Sequence, residues 1–92
     1  MRPKKQRRLC CRPEARIFKP RGVPLRGLAV TTLAADELEA LHLADGLGLH
    51  HAAGGKEMGV SRATFGRILE SGRRKVARAL INGHGIELGG QV

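Results

Sequence analysis

The run Met58-Gly59-Val60-Ser61-Arg62-Ala63-Thr64-Phe65-Gly66-Arg67-Ile68-Leu69 sets a chain reversal directly before a capped helix, which limits the fold more than any other stretch. Gly59 can take the positive φ that a sharp turn between helices requires, and Ser61 offers a hydroxyl oxygen to the free N–H groups opening the next helix. Gly55, four residues before Gly59, leaves room for two helices to approach closely. The stretch therefore reads as the second half of a helix-turn-helix. In such motifs the first turns of the second helix enter the major groove, which makes Arg62, Ala63, Thr64 and Arg67 the expected base-reading residues. The same junction would serve any small helical bundle, so the rest of the chain has to support a DNA-binding role.

A chain of 92 residues forms one domain at most, too small to add a deep catalytic cleft to its own core. Its 17 basic and 8 acidic residues give a net charge of +9, and the excess is localised. Arg2, Lys4, Lys5, Arg7, Arg8, Arg12, Arg16, Lys19, Arg21 and Arg26 stand against Glu14 alone, while the remainder is neutral. An N-terminal arm of this kind binds polyanions by releasing counterions from phosphates, without sequence preference. Its blander role is solubility. No apolar run approaches the ~20 residues of a membrane span, no amphipathic stripe with aromatic anchors adjoins the arm, and no signal-peptide core follows the basic start. The expectation is no membrane partner and a cytoplasmic, nucleoid-associated location. Trp and Tyr are absent and Phe18 and Phe65 are the only aromatics, which disfavours stacking of single-stranded bases and favours duplex binding.

The expected fold is mainly α: a helix-turn-helix bundle of three helices with a basic N-terminal arm and two short strands near the termini. Residues 1–28 read as the arm and an extended segment, 29–83 as the helix-turn-helix domain and 84–92 as a C-terminal tail. Ile17-Phe18 and Ile86-Glu87-Leu88 are the strand candidates, and pairing them would tie the two ends together within one chain or across a dimer. The first helix is expected over about 35–45, with Asp36 and Glu37 at its positive end, Leu38, Leu41 and Ala44 or Asp45 setting one face, Leu43 broadening it, and Gly46 and Gly48 ending it. Leu47 and Leu49 are expected to turn inward across that break. The second helix, about 50–58, is weak, because Gly54 and Gly55 each cost about 1 kcal/mol relative to alanine. The third is the firmest, from Arg62 to about Ile81: Phe65, Ile68, Leu69, Gly72, Val76, Ala79 and Leu80 form a core stripe. Ala63, Arg67, Glu70, Ser71, Arg74 and Arg78 form the outer face, and Gly83 suits the left-handed residue after the helix.

Phe18-Lys19-Pro20, Gly22-Val23-Pro24-Leu25, Asp36-Glu37-Leu38-Glu39-Ala40-Leu41, Leu43-Ala44-Asp45 and the run from Met58 to Ser71 together resemble the uncharacterised protein family 0251, also called domain of unknown function 134. The resemblance covers nearly the whole chain up to Leu80. It implies a small prokaryotic DNA-binding protein with a helix-turn-helix similar to region four of sigma factors, Met58 to Ser61 being the turn and Arg62 to Arg74 the recognition helix and its continuation. The chain departs from the family pattern in three places. His50-His51-Ala52-Ala53-Gly54-Gly55 replaces a segment rich in glutamate and alanine. Ala34 stands where a threonine usually caps the first helix, leaving Thr32 or Asp36 to serve. Gln6 stands where relatives often carry a cysteine.

Other chemistry finds little support. Cys10 and Cys11 are adjacent and form no C-x-x-C pair, and nothing in the spacing of His50, His51 and His84 completes a zinc site, so no metal and no cofactor are expected. In a reducing compartment the two cysteines are expected as free thiols, with an intermolecular disulfide through the arm as the alternative on oxidation. No nucleophile has a neighbouring base with a third orienting group, and no enzyme activity is expected. Ser61 reads as a cap, Ser71 as a small outer residue, and Asp36, Glu37 and Glu39 as a solvated helix start. The chain thus reads as a sequence-specific double-stranded DNA-binding protein and transcriptional regulator. Arg73, Arg74, Lys75 and Arg78 would join the arm's Arg2, Lys4, Lys5, Arg7 and Arg8 on phosphates. A homodimer is expected, since paired half-sites double the contacts of a small reader. The alternatives are a module that binds RNA polymerase or an acidic protein partner, and a binder of structured RNA.

Overall fold

Apolar side chains spaced three and four apart drive three helices, and the segments flanking them close into a small sheet. The computed structural model describes residues 17–89. In chain order these are strands β1 (Ile17–Phe18) and β2 (Val30–Leu33), helices α1 (Ala35–Leu41), α2 (His51–Met58) and α3 (Arg62–Asn82), and strand β3 (Gly85–Leu88). The fold is mainly α with short strands, as the sequence predicts. No helix among the described residues is long and apolar enough to cross a membrane.

The predicted pairing of the end segments holds within one chain: β1 runs antiparallel to β3, with Ile17 opposite Glu87 and Phe18 opposite Ile86. An unpredicted strand, β2, lies parallel to β3 on its other side, from Val30 opposite Gly85 to Leu33 opposite Leu88. The order is therefore β1-β3-β2, and residues 85–88 supply the central strand. Backbone bonds from the Gly85 N–H to the Ala29 carbonyl (2.9 Å) and from the Gly89 N–H to the Leu33 carbonyl (2.6 Å) flank the parallel pair.

The core centres on Phe65 and Leu69, with Ala40 and Leu43 against them and Leu41, Leu49, Met58, Val60 and Ile68 at the margin. Three expectations about burial are corrected. Leu80 lies 72% exposed, although Ala79 beside it on the stripe is fully buried. Leu47 is 58% exposed, while Leu49 does pack inward. The cause is the end of α1, where residues 42–46 widen into a π-helical turn, with the Leu47 N–H bonded to the His42 carbonyl at 2.8 Å, and Gly48 then reverses the chain at φ 79°.

The third correction concerns Glu37, which is not solvated but 7% exposed. Neither Thr32 nor Asp36 caps α1; the Glu37 carboxylate reaches back and accepts the Ala34 N–H at 2.8 Å, the half of a capping box that needs no side chain on residue 34. It also accepts the Ser71 hydroxyl at 2.6 Å and the Lys75 ammonium at 3.0 Å. Ser71 is thus turned toward α1 rather than outward. Burial pushes the Glu37 carboxyl up, but the bonds from Ser71, Ala34 and Lys75 outweigh it and hold the group below the usual glutamate range.

Gly54 and Gly55 explain the weak helix. A Cβ at Gly54 would sit 2.4 to 2.8 Å from three atoms of the buried Phe65 ring, and one at Gly55 would meet the Val60 carbonyl oxygen at 2.8 Å. Their low helix propensity is offset by the close approach they allow.

Gly54→Ala should destabilise the chain by about 1–3 kcal/mol through overpacking, whereas Gly66→Ala, whose Cβ meets only the His51 ring at 3.5 Å, should stabilise it by up to about 1 kcal/mol; thermal melts of both check the opposite signs. Glu37→Ala should cost about 2–4 kcal/mol by stranding three donors. Because the folded carboxyl titrates below the unfolded one, its contribution is present above about pH 4.3 and lost as pH falls through the lower folded value. Stability measured against pH should therefore have a shallower acid limb in Glu37→Gln than in the wild type.

Candidate nucleic-acid interface

The turn between α2 and α3 is built from backbone and one hydroxyl. Gly59 adopts the left-handed conformation at φ 74°, as its position predicts. The Val60 N–H returns to the Gly55 carbonyl at 2.8 Å, so the last turn of α2 and the turn itself share an orphan acceptor. Ser61 is extended and caps α3: its Oγ accepts the Thr64 N–H at 3.0 Å. The Phe65 N–H bonds to the Ser61 carbonyl at 2.9 Å and starts the helical ladder. With the Phe65 ring fully buried under Gly54, the rotation of α3 about its own axis is fixed.

That rotation decides what the first two turns present. Arg62, Ala63 and Arg67 are exposed and Thr64 is half-buried. The structure joins two of these four directly: the Thr64 hydroxyl accepts from Ser61 Oγ at 3.0 Å and from Arg67 Nη2 at 3.4 Å. Arg62 carries no ion pair among the described residues, and Arg67 has only that long bond to a neutral hydroxyl. Both guanidiniums are thus available to an outside acceptor.

Farther along α3 the expected phosphate contacts differ from one another. Arg73 donates a fork to Asp45, Nη2 to Oδ1 at 2.6 Å and Nε to Oδ2 at 3.1 Å. The bond with Arg73 holds the Asp45 carboxyl below its usual range, and the Arg73 guanidinium is raised in turn. Arg74 pairs with Glu70 at 3.3 Å one turn back, and Lys75 with Glu37 at 3.0 Å. Arg78 is exposed and without an ion pair among the described residues. Arg2, Lys4, Lys5, Arg7 and Arg8 lie outside the described residues, as do Cys10 and Cys11.

Two further side chains beside the reading helix were not among the expected DNA contacts. Lys56 is exposed in the last turn of α2, and His51 opens α2 with its ring 5.7 Å from that of Phe65 and against Gly66. Only the fold brings His51 beside the outer face of α3, because the signal is the crossing of two helices rather than any spacing along the chain. No group of three or more His, Cys, Asp or Glu among the described residues is placed to hold a metal ion.

The sequence model of the family described as protein of unknown function DUF134 matches residues 1–92. A UPF0251 protein of Desulfosudis oleivorans is 52% identical over 89 residues, covering 97% of this chain and 64% of the relative. The UPF0251 protein of Vibrio vulnificus strain YJ016 is 50% identical over 90 residues, 98% of this chain and 90% of the relative. One from Rhodospirillum rubrum is 48% identical over 89 residues, 97% of this chain and 62% of the relative. The chain therefore spans a little under two thirds of the length of some relatives and most of others. No solved structure matches it. With a family match over its full length and about half its residues shared with these relatives, the chain belongs to the DUF134, or UPF0251, family.

Proposed function

We propose that this chain is a sequence-specific double-stranded DNA-binding protein that acts as a transcriptional regulator on the nucleoid. The observation that supports it best is the pairing of a fixed three-residue turn with a capped helix whose first two turns expose two arginines free of acidic partners among the described residues. A helix held in this way can enter a major groove of about 12 Å with its N-terminal side chains foremost. Arg67 supplies a bidentate donor to guanine O6 and N7, while Arg62 and Thr64 reach adjacent base edges. Ala63 leaves space for a thymine methyl. The exposed Lys56 and His51 flank this surface on α2 and lie where the first helix of such a motif crosses a phosphate backbone. The basic arm adds affinity without sequence preference.

Arg78 is the remaining free cation on the outer face of α3. Arg73, Arg74 and Lys75 are committed to carboxylates, so their contribution to phosphate binding is smaller than their charge indicates, unless a phosphate displaces the exposed Asp45 or Glu70.

Selection of bound duplexes from a random pool at near-physiological salt, followed by sequencing, tests the reading. An enriched motif is expected. An unenriched pool overturns sequence-specific reading, and competition by structured RNA stronger than by duplex would redirect it to RNA. Against the enriched duplex, Arg67→Ala should lose about 1–3 kcal/mol of discrimination at a single base pair. Removal of residues 1–12 should instead weaken every duplex alike and reduce the slope of log affinity against log salt by about 0.9 for each phosphate released.

A further inference from the structure

Ser61, Thr64 and Arg67 follow one another at intervals of three residues, the spacing at which side chains at the start of a helix share a face. They form a continuous hydrogen-bonded line. Ser61 Oγ accepts the Thr64 N–H at 3.0 Å and donates its own hydroxyl to Thr64 Oγ1, also at 3.0 Å. Thr64 Oγ1 then accepts Arg67 Nη2 at 3.4 Å. The line runs from the cap that fixes the start of α3 to the guanidinium of its second turn, and its middle member is half-buried between two exposed residues.

Donor and acceptor capacity gives Thr64 a different task from its neighbours. A hydroxyl oxygen accepts through two lone pairs. Those of Thr64 are taken by Ser61 and Arg67, which leaves the side chain a hydrogen to give and nothing with which to receive the amino group of adenine or cytosine. Arg67 is long and flexible and has no acidic partner among the described residues, so Thr64 is the contact that restricts it. A guanidinium fork meets guanine O6 and N7 together only from a narrow range of orientations, and a side chain already held within that range loses less freedom on binding. The bond to Thr64 occupies a single N–H of the guanidinium and leaves a fork for the base.

We infer that Thr64 is a positioning residue, which holds the Arg67 guanidinium in its reading orientation and ties that orientation to the Ser61 cap. The inference rests on the proposed DNA reading and gives Thr64 a role exercised through Arg67, beyond any base edge its own hydrogen reaches. The role needs an oxygen at position 64 and nothing more, so serine fulfils it and valine, close to threonine in shape, does not. The cap is separable from it, because Ser61 Oγ accepts a backbone N–H that every residue at position 64 except proline supplies. Thr64→Val should therefore break the line and keep the turn.

Duplex selection repeated with Thr64→Val, Thr64→Ser and Arg67→Ala tests the inference by which base pair each variant ceases to read. Thr64→Val is expected to lower the preference at the base pair that Arg67→Ala relaxes by about three- to tenfold, the worth of one hydrogen bond. Thr64→Ser should keep the wild-type preference there. In a chain that already carries Arg67→Ala, adding Thr64→Val should change that base pair no further. A Thr64→Val motif unaltered at that base pair, or a preference that Thr64→Ser loses equally, overturns the inference. A wild type that enriches no motif defeats the DNA reading instead, and heteronuclear relaxation of the Arg67 side chain in the free protein then decides the positioning role. Thr64→Val should increase the motion of the Arg67 Nε–H group and Thr64→Ser should leave it as in the wild type. Equal motion in all three chains overturns the inference.

Discussion

The Phe65 ring over Gly54 is the contact on which the rest of the molecule depends. It is the largest fully buried side chain in the fold, and it lies where a single methyl group on residue 54 would overlap it. Because the ring belongs to the first turn of α3, its burial sets how that helix is rotated. The rotation turns Arg62 and Arg67 outward, and the same contact determines how close α2 comes. Gly55 completes the approach by letting the Val60 carbonyl pass over the helix. Helix propensity in α2 has been exchanged for proximity, and tertiary packing offsets the loss.

A second joint is polar. Glu37 binds the start of α1 to the middle of α3 through Ser71 and Lys75, and the Lys75 ammonium also reaches the Thr32 carbonyl of β2 at 3.5 Å. One carboxylate therefore links helix, helix and strand. A leucine at position 37 would bury as well but could not specify the mutual register of three elements. The fork between Arg73 and Asp45 plays a lesser part of the same kind at the surface, fastening the π-helical turn to α3.

How much of this the sequence discloses depends on whether the signal is local. The cap at Ser61, the left-handed Gly59 and Gly83 and the stripe of α3 from Phe65 to Ala79 are all local, and each is where the residue types place it. The pairing of Ile17-Phe18 with β3 follows from two weak strand signals that only make sense together. β2 is hidden because Val30-Thr31-Thr32-Leu33 has no polar alternation and its partner lies beyond all three helices. Leu80 is misjudged for a related reason: periodicity identifies a face, not what covers it. Asp36 and Glu37 are indistinguishable as helix-start acids until Ser71 and Lys75 are brought across from α3. On α3, the exposure of Arg62 and Arg67 is legible from helical spacing, but the carboxylate partners of Arg73 and Lys75 are not.

The parallel pair of β2 and β3 introduces a one-way dependence between the two halves of the molecule. Its strands flank the entire helical region, so zipping them from an open chain would require closing a long loop, at an entropic cost that grows with the logarithm of its length. Packing of α1 on α3 removes much of that cost, because it already holds the segments that carry the two strands near one another. The helices can therefore form without the sheet, but the sheet has little to hold it without the helices. The strands that flank the helices are ordered by a process that begins between them.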